Sequence, residues 1–314
     1  MSECPQPDPA ILWANLTKAK PEGWMDILIL SAGKTDKTVK GPKSDRPLRG
    51  YGRRQAEKIG ALLARQDLRP DTILVAPGQR ARQTAELALK AAGWTPNGIE
   101  EVPSLAHGIM PEIEDTGRTL LVAAPKVTDR LVTSLLPALS GAPGFLTLVT
   151  VGQGTMELFD AINPRDLSEL FPYPAPDGPD RRLRPAYYYT QSAVIPYRSS
   201  QQGTEVLIIS SSSGQHWGVP KGIVEPGLTP AVSASLEALE EAGACGHVND
   251  EPLGHYSFEK WGAPCSVTVF PMEVSHMVPN TEWQESHRAR RWASKDEAIS
   301  LLRHTDLHSM VEAL

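Results

Sequence analysis

Cysteine is scarce in these 314 residues: Cys4, Cys245 and Cys265 are too few and too scattered to build a disulfide framework or a zinc site. A reducing compartment suits such a chain. No apolar run approaches the ~18 residues that a membrane-spanning helix needs. The opening MSECPQPDPAILW shows no basic-then-apolar leader, so a cytoplasmic protein with no membrane partner is expected. A strong basic field is also missing, with 31 Lys+Arg against 37 Asp+Glu and a net charge of −6. Nucleic acid is therefore not an expected partner, and any phosphorylated ligand would have to be gripped locally, for example through metal. His216, His247, His255, His276 and His287 lack the paired spacing of a zinc site. No internal repeat or low-complexity tract stands out.

What is present divides in two, because 314 residues exceed what one core usually serves and two domains of ~150 residues are the natural expectation. Short apolar runs at 25–30, 71–76 and 145–151 predict buried strands. Helical patterns follow at 52–66, where Ala56, Ile59, Leu62 and Leu63 share a face, and at 79–92, closed by Gly93. Further helices are expected at 129–139 and from Gly152-Gln153-Gly154 through Ile162. Strands alternating with helices predict an α/β domain over 1–165, three-layered around a mainly parallel sheet. Residues 163–185 hold six prolines, and 166–186 is expected to be a linker. Beyond it, strands at 191–197, 205–209 and 266–274 and helices at 230–242 and from 295 predict an α+β domain over 187–314.

One stretch, WGVPKGIVEPGLTPAVSASLEALEEAGACG at 217–246, carries chemistry. Thr229 suits a helix N-cap, Pro230 the first helical position and Gly243 the end. Glu237, Glu240 and Glu241 stand at i, i+3 and i+4, so their carboxylates are expected to converge. They also fall in the half of the helix where the dipole disfavours anions. Such oxygens select a hard cation, Mg²⁺ or Mn²⁺. A solvated acidic face is the alternative for an arbitrary helix.

The stretch resembles the Nudix box through Gly222, Glu237, Glu240, Glu241 and Gly243, preceded by Trp217-Gly-Val-Pro-Lys-Gly. The resemblance implies a Nudix fold, a mixed sheet sandwiched by helices, and a metal-dependent hydrolase of phosphoanhydrides. It implies metal held by Glu237, Glu240 and Glu241, with help from the Gly222 carbonyl, and a proton taken by one of them or by Glu225. Two positions depart from the box: Leu228 and Leu236 replace a salt-bridged Glu and Arg, an apolar pair for a charged one. Ser210 to Ser213 and the stretch from Trp283 to Trp292 resemble the branch that hydrolyses diadenosine and diphosphoinositol polyphosphates. Substrate contacts are accordingly expected from Ser212, Lys221, Arg290 and Arg291, with Arg288 a further candidate.

The N-terminal half resembles histidine phosphatases through Gly52-Arg-Arg-Gln-Ala56 and Arg80-Ala-x-x-Thr84-Ala85. That family's Arg-His-Gly reads Ser31-Ala32-Gly33 here, and its second histidine is Gln153. Alanine cannot accept a phosphoryl group. Phosphatase chemistry is therefore not expected; Arg80 remains a phosphate contact in a docking or regulatory domain, and His107 falls in a loop. Three functions follow: a phosphohydrolase of small nucleoside or dinucleoside polyphosphates (or a diphosphoinositol-like substrate), a non-catalytic sensor of phosphorylated ligands, and an RNA 5′-end pyrophosphohydrolase. A homodimer is compatible with each.

Overall fold

The computed structural model describes residues 24–113, 117–135, 146–152, 155–201 and 203–314. The expected site residue Gln153 and the end of the expected helix at 129–139 lie outside them. The chain forms two compact units, Met1–Pro185 and Ala186–Leu314.

Unit 1 is built on a six-stranded sheet. Its strands are β1 (Trp24–Ser31), β2 (Thr72–Val75), β3 (Ile99–Glu101), β4 (Gly117–Ala123), β5 (Leu146–Gly152) and β6 (Thr155–Ile162), in the order β3-β2-β4-β1-β5-β6. The first four pair in parallel. Helices α1 (Gly50–Arg65), α2 (Gln79–Ala91), α3 (Pro103–His107) and α4 (Pro125–Leu135) make the connections. Continuous apolar strands suit a sheet covered by helices, and Leu28, Leu30, Leu120, Leu121 and Val122 are wholly buried. The predicted α1 face is correct: Ala56, Ile59 and Leu63 are wholly buried and Leu62 nearly so.

Two expectations need correction. Residues 155–162 form β6, a strand antiparallel to β5, not a helix, and β5 itself runs antiparallel to β1. Met156-Glu157-Leu158 alternates while Leu158-Phe159 and Ala161-Ile162 are doublets, so an eight-residue apolar segment fits either period and the neighbouring strand decides. Second, residues 166–185 are a folded part of unit 1, and Ala186 already belongs to unit 2. Phe171 is buried, and strands β7 (Phe171–Tyr173) and β8 (Asp180–Arg182) pair with each other. Lys58 Nζ donates to the Leu167 carbonyl (3.0 Å), and Arg54 Nη1 donates to that of Leu183 (2.8 Å). Prolines here shape a packed strap.

Unit 2 holds an eight-stranded mixed sheet. Strands β9 (Thr190–Ser200) and β15 (Ala263–Met277) pair in parallel at its centre. β10 (Gly203–Ser210), β13 (Ala244–Val248) and β14 (Gly254–Lys260) pair antiparallel with them, as does β12 (Lys221–Ile223). β11 (Trp217–Gly218) and β16 (Arg290–Ser294) pair with β10. Alternation along β10 shows the layering. Val206 and Ile208 pack with Ala298 of α6 (Lys295–Leu301) and Leu307 of α7 (Asp306–Glu312), whereas Leu207 and Ile209 pack with Ala242 of α5 (Pro230–Ala242). The sheet is thus sandwiched by helices, as expected.

Close approach of α1 to α2 rests on Gly60, where an added Cβ would lie 1.9 Å from the Ala88 carbonyl oxygen. Gly60→Ala forces these helices apart and should cost about 1–3 kcal/mol in urea unfolding of unit 1; an unchanged midpoint would mean that the helices do not meet there.

Candidate active site

Helix α5 forms as its sequence dictates. Thr229 Oγ1 accepts from Val232 N at 3.3 Å, Pro230 opens the first turn, and Gly243 closes the helix at φ 60°. Ala231, Ala234 and Ala238 face the core beside Val194, Phe270 and Met272. That anchoring fixes which way the glutamates turn.

Their convergence is only partial. Successive helical residues are rotated by about 100°, so Glu237 and Glu241 lie about 40° apart while Glu240 sits about 100° from Glu241. Glu237 and Glu241 line a cavity of about 940 Å³. Glu240 is exposed and absent from that lining. Among the described residues no three His, Cys, Asp or Glu side chains close on one point as they stand. Glu241 is turned to other partners: it accepts from the Lys221 backbone N–H (2.9 Å) and from Arg288 Nη2 (2.7 Å).

Electrostatics nevertheless leave this wall short of positive charge. Burial, then the charges of Glu241 and Glu240, push the Glu237 carboxyl up to about 7. Burial also raises Glu241, opposed by the Lys221 N–H and by Arg288. Gly222 on β12 is a cradle: a Cβ there would lie 1.7 Å from Glu237 Oε1, so only glycine lets that carboxylate reach the backbone. Oxygen donors crowded against a bare backbone, two of them held up in pKa, fit a hard divalent ion.

The remaining candidates divide. Lys221, Glu225 and Ser212 line the same cavity. Lys221 Nζ donates to Gln191 Oε1 (3.3 Å) and stands 4.7 Å over the Phe258 ring, and burial lowers its pKa. Arg290 and Arg291, expected at the substrate, are elsewhere. Arg290 donates to the carbonyls of Ala242 (2.9 Å) and Val278 (2.7 Å), capping α5, and Arg291 pairs with Glu297. In a strand, neighbours face opposite ways, so the Arg290-Arg291 pair could not both reach one site. Of the three arginines only Arg288 lines the cavity. Leu228 and Leu236 do not form a buried apolar pair either: both are exposed, alongside Val232 and Leu239.

Sequence reasoning missed the aromatic part of this cavity. Tyr256 and Phe258 from β14, Trp217 from β11 and His304 from the α6–α7 connection line it. The His304 ring lies 5.3 Å from that of Tyr256 and 6.1 Å from that of Phe258. Burial, then Lys221, lowers the His304 pKa. Alternation of Tyr256 and Phe258 along one strand was the available signal; three separate segments hid the rest.

In unit 1, Arg80 does not point to an open site. Its Nε donates to the Gly33 carbonyl (2.8 Å) and its Nη2 to that of Ala32 (2.9 Å). Ser31 Oγ shares a buried hydrogen bond with Thr128 Oγ1 (2.6 Å), and Gly33 N donates to Thr84 Oγ1 (3.0 Å).

Comparison with known proteins agrees with this division. Residues 27–115 match the model of the histidine phosphatase superfamily (branch 1), and residues 189–313 match that of the NUDIX domain. The chain is 32% identical over 144 residues to nudix hydrolase 13, mitochondrial, of Arabidopsis thaliana, covering 38% of this chain and 70% of that one. It is 30% identical over 112 residues to the asymmetrical bis(5′-nucleosyl)-tetraphosphatase of Sus scrofa, covering 34% and 76%. Over 123 residues it is 31% identical to diphosphoinositol polyphosphate phosphohydrolase 2 of Rattus norvegicus, covering 38% and 66%. The chain belongs to the Nudix hydrolase family, with a histidine phosphatase domain in its N-terminal half.

The raised Glu237 carboxyl has a consequence for stability. The fold favours the protonated form, so the contribution is fully present below about pH 4.5 and lost as pH rises through about 7. In chelated buffer Glu237→Gln should therefore melt above the parent at pH 8 and level with it at pH 4.5. Melting curves across that range check this, and a variant less stable than the parent at pH 8 contradicts it.

Proposed function

We propose that unit 2 is a divalent-metal-dependent phosphohydrolase that cleaves a phosphoanhydride bond in a nucleoside or dinucleoside polyphosphate. The observation that carries this is one cavity lined by Glu237 and Glu241, by Lys221, and by the rings of Trp217, Tyr256, Phe258 and His304. Its volume of about 940 Å³ suits a nucleotide-sized ligand.

Glu237 and Glu241, with Glu240 beside them and the Gly222 carbonyl at hand, would hold Mg²⁺ or Mn²⁺. When bound, such an ion supplies an activated water at neutral pH and neutralises charge on the phosphates. The protein's own groups supply the rest. Lys221 presents positive charge to the phosphate oxygens, while Arg288, bonded to Glu241, Glu285 and the Ser210 carbonyl, braces the Glu241 carboxylate beside them. Ser212 offers a hydroxyl at the cavity rim. Glu225 lines the cavity and is the group assigned to take the proton of the attacking water.

The aromatic wall favours a planar base over an inositol ring. Tyr256, Phe258 and His304 offer ring faces and edges, which suit stacking, whereas a polyphosphorylated inositol wants cations. The Sus scrofa relative is named for a dinucleoside tetraphosphate, in keeping with this choice.

Turnover of a panel of dinucleoside polyphosphates, nucleoside triphosphates and diphosphoinositols with Mg²⁺ or Mn²⁺ tests the assignment. Glu237→Gln should lower kcat at least about a hundredfold on the preferred substrate. Gly222→Ala should lower it at least about tenfold with little change in melting temperature, since the added Cβ meets the mobile end of Glu237. Ligand binding without turnover of any of them would instead make unit 2 a sensor.

A further inference from the structure

The loop between β1 and α1 carries a pattern that hydrolysis in unit 2 does not use. Lys34, Lys37, Lys40, Lys43, Arg46 and Arg49 occupy every third position across residues 34–49, against only Asp36 and Asp45, in a chain whose net charge is −6. The loop is built. Arg49 N donates to the Lys34 carbonyl (3.0 Å) and Asp36 N to that of Pro47 (2.8 Å), closing its neck. Leu48 is buried and its N–H donates to Gln83 Oε1 (2.9 Å), while the Ser44 carbonyl accepts from Arg80 N (2.8 Å). One of the two acids is engaged within the loop: Asp36 Oδ1 accepts from Thr38 N and Thr38 Oγ1. Four lysines and Arg49 remain exposed.

At the neck three cations gather on one ring. Lys34 Nζ lies 5.3 Å and Arg49 Cζ 5.6 Å from the centroid of Tyr51, and Arg165 Nε donates to Tyr51 Oη at 3.1 Å. Among the described residues none of the three forms an ion pair with a carboxylate. Asp36 acts on Arg49 and Asp166 on Arg165 at a distance without pairing, so three cations share two acids and favour a further anion between them. The neck follows Ala32-Gly33, the position at which the resembled phosphatases keep their nucleophile.

We propose that residues 34–49, with Tyr51 and Arg165, form a binding site in unit 1 for a chain of condensed phosphates, held without turnover. Repeated point charges suit repeated phosphates. Lys34 and Arg49 already lie over the Tyr51 ring, so a base stacking there would compete with them, unlike on the open rings of a single-stranded nucleic-acid platform. The chain of phosphates can be free inorganic polyphosphate or the bridge of a dinucleoside polyphosphate.

The test is fluorescence anisotropy of labelled linear polyphosphate with the full chain in EDTA, where metal-dependent hydrolysis is silent. Binding should weaken steeply with salt and fall at least about tenfold in a Lys34→Gln, Arg49→Gln, Arg165→Gln triple variant. These side chains sit at the surface, and circular dichroism confirms that the variant is folded. Arg291→Gln, a surface cation outside both sites, should bind like the parent, and because the assay needs no turnover a failure of the hydrolase assignment leaves this result standing. Competition by a dinucleoside pentaphosphate points to the bridge as ligand; competition by inorganic polyphosphate alone points to the free chain. Unchanged binding by the triple variant, no binding by the parent, or equal competition by an RNA oligonucleotide of matched charge each overturns the proposal.

Discussion

Everything proposed for unit 2 hangs on the approach of one carboxylate to one bare stretch of backbone. Glu237 is brought against Gly222 because α5 is anchored by its alanine face to the sheet, while β12 is held in register by its pairing with β9. A side chain at position 222 would occupy the space that the carboxylate fills. Burial there disfavours the ionised form, and the charges of Glu241, Glu240 and Glu285 disfavour it further. The site is thus held in a state that a cation relieves. Its local electrostatics work against the stability of the fold, which is common where binding is the task.

Much of this was legible in the sequence, and what was not has identifiable causes. The caps of α5, the core face of α1 and the layering of unit 2 follow from local patterns, because caps and periodicity are properties of neighbouring residues. The strand character of residues 155–162 was hidden, since a short apolar stretch satisfies two periods and only its antiparallel partner chooses. The strap at 166–185 read as a linker because its proline content masks anchors made elsewhere, by Arg54 and Lys58 on α1. In the cavity, positions on one helix were found from spacing alone. Arg290 and Arg291 were misplaced because the arginine-rich run becomes a strand, whose alternation sends adjacent side chains apart. The aromatic wall joins three distant segments, and no local signal links Tyr256 to His304.

The two units handle charge in opposite ways. Unit 2 concentrates buried carboxylates around a cavity, with Arg288 engaging Glu241. Unit 1 turns Lys58 and Arg80 inward but leaves a row of cations exposed on a loop pinned at its neck and at Ser44. Pinning matters for the second arrangement, since a preformed loop loses little conformational freedom when a ligand settles on it.

The inward turn of Arg80 has a further consequence. Its guanidinium is committed to the carbonyls of Ala32 and Gly33, and Ser31 is bonded to Thr128. A histidine placed at position 32 would meet an Arg80 guanidinium already serving as scaffolding for the backbone. Residues 31–33 are thus tied down from two sides, by Arg80 and by Thr128, and a substitution at any one of these positions is felt at the others.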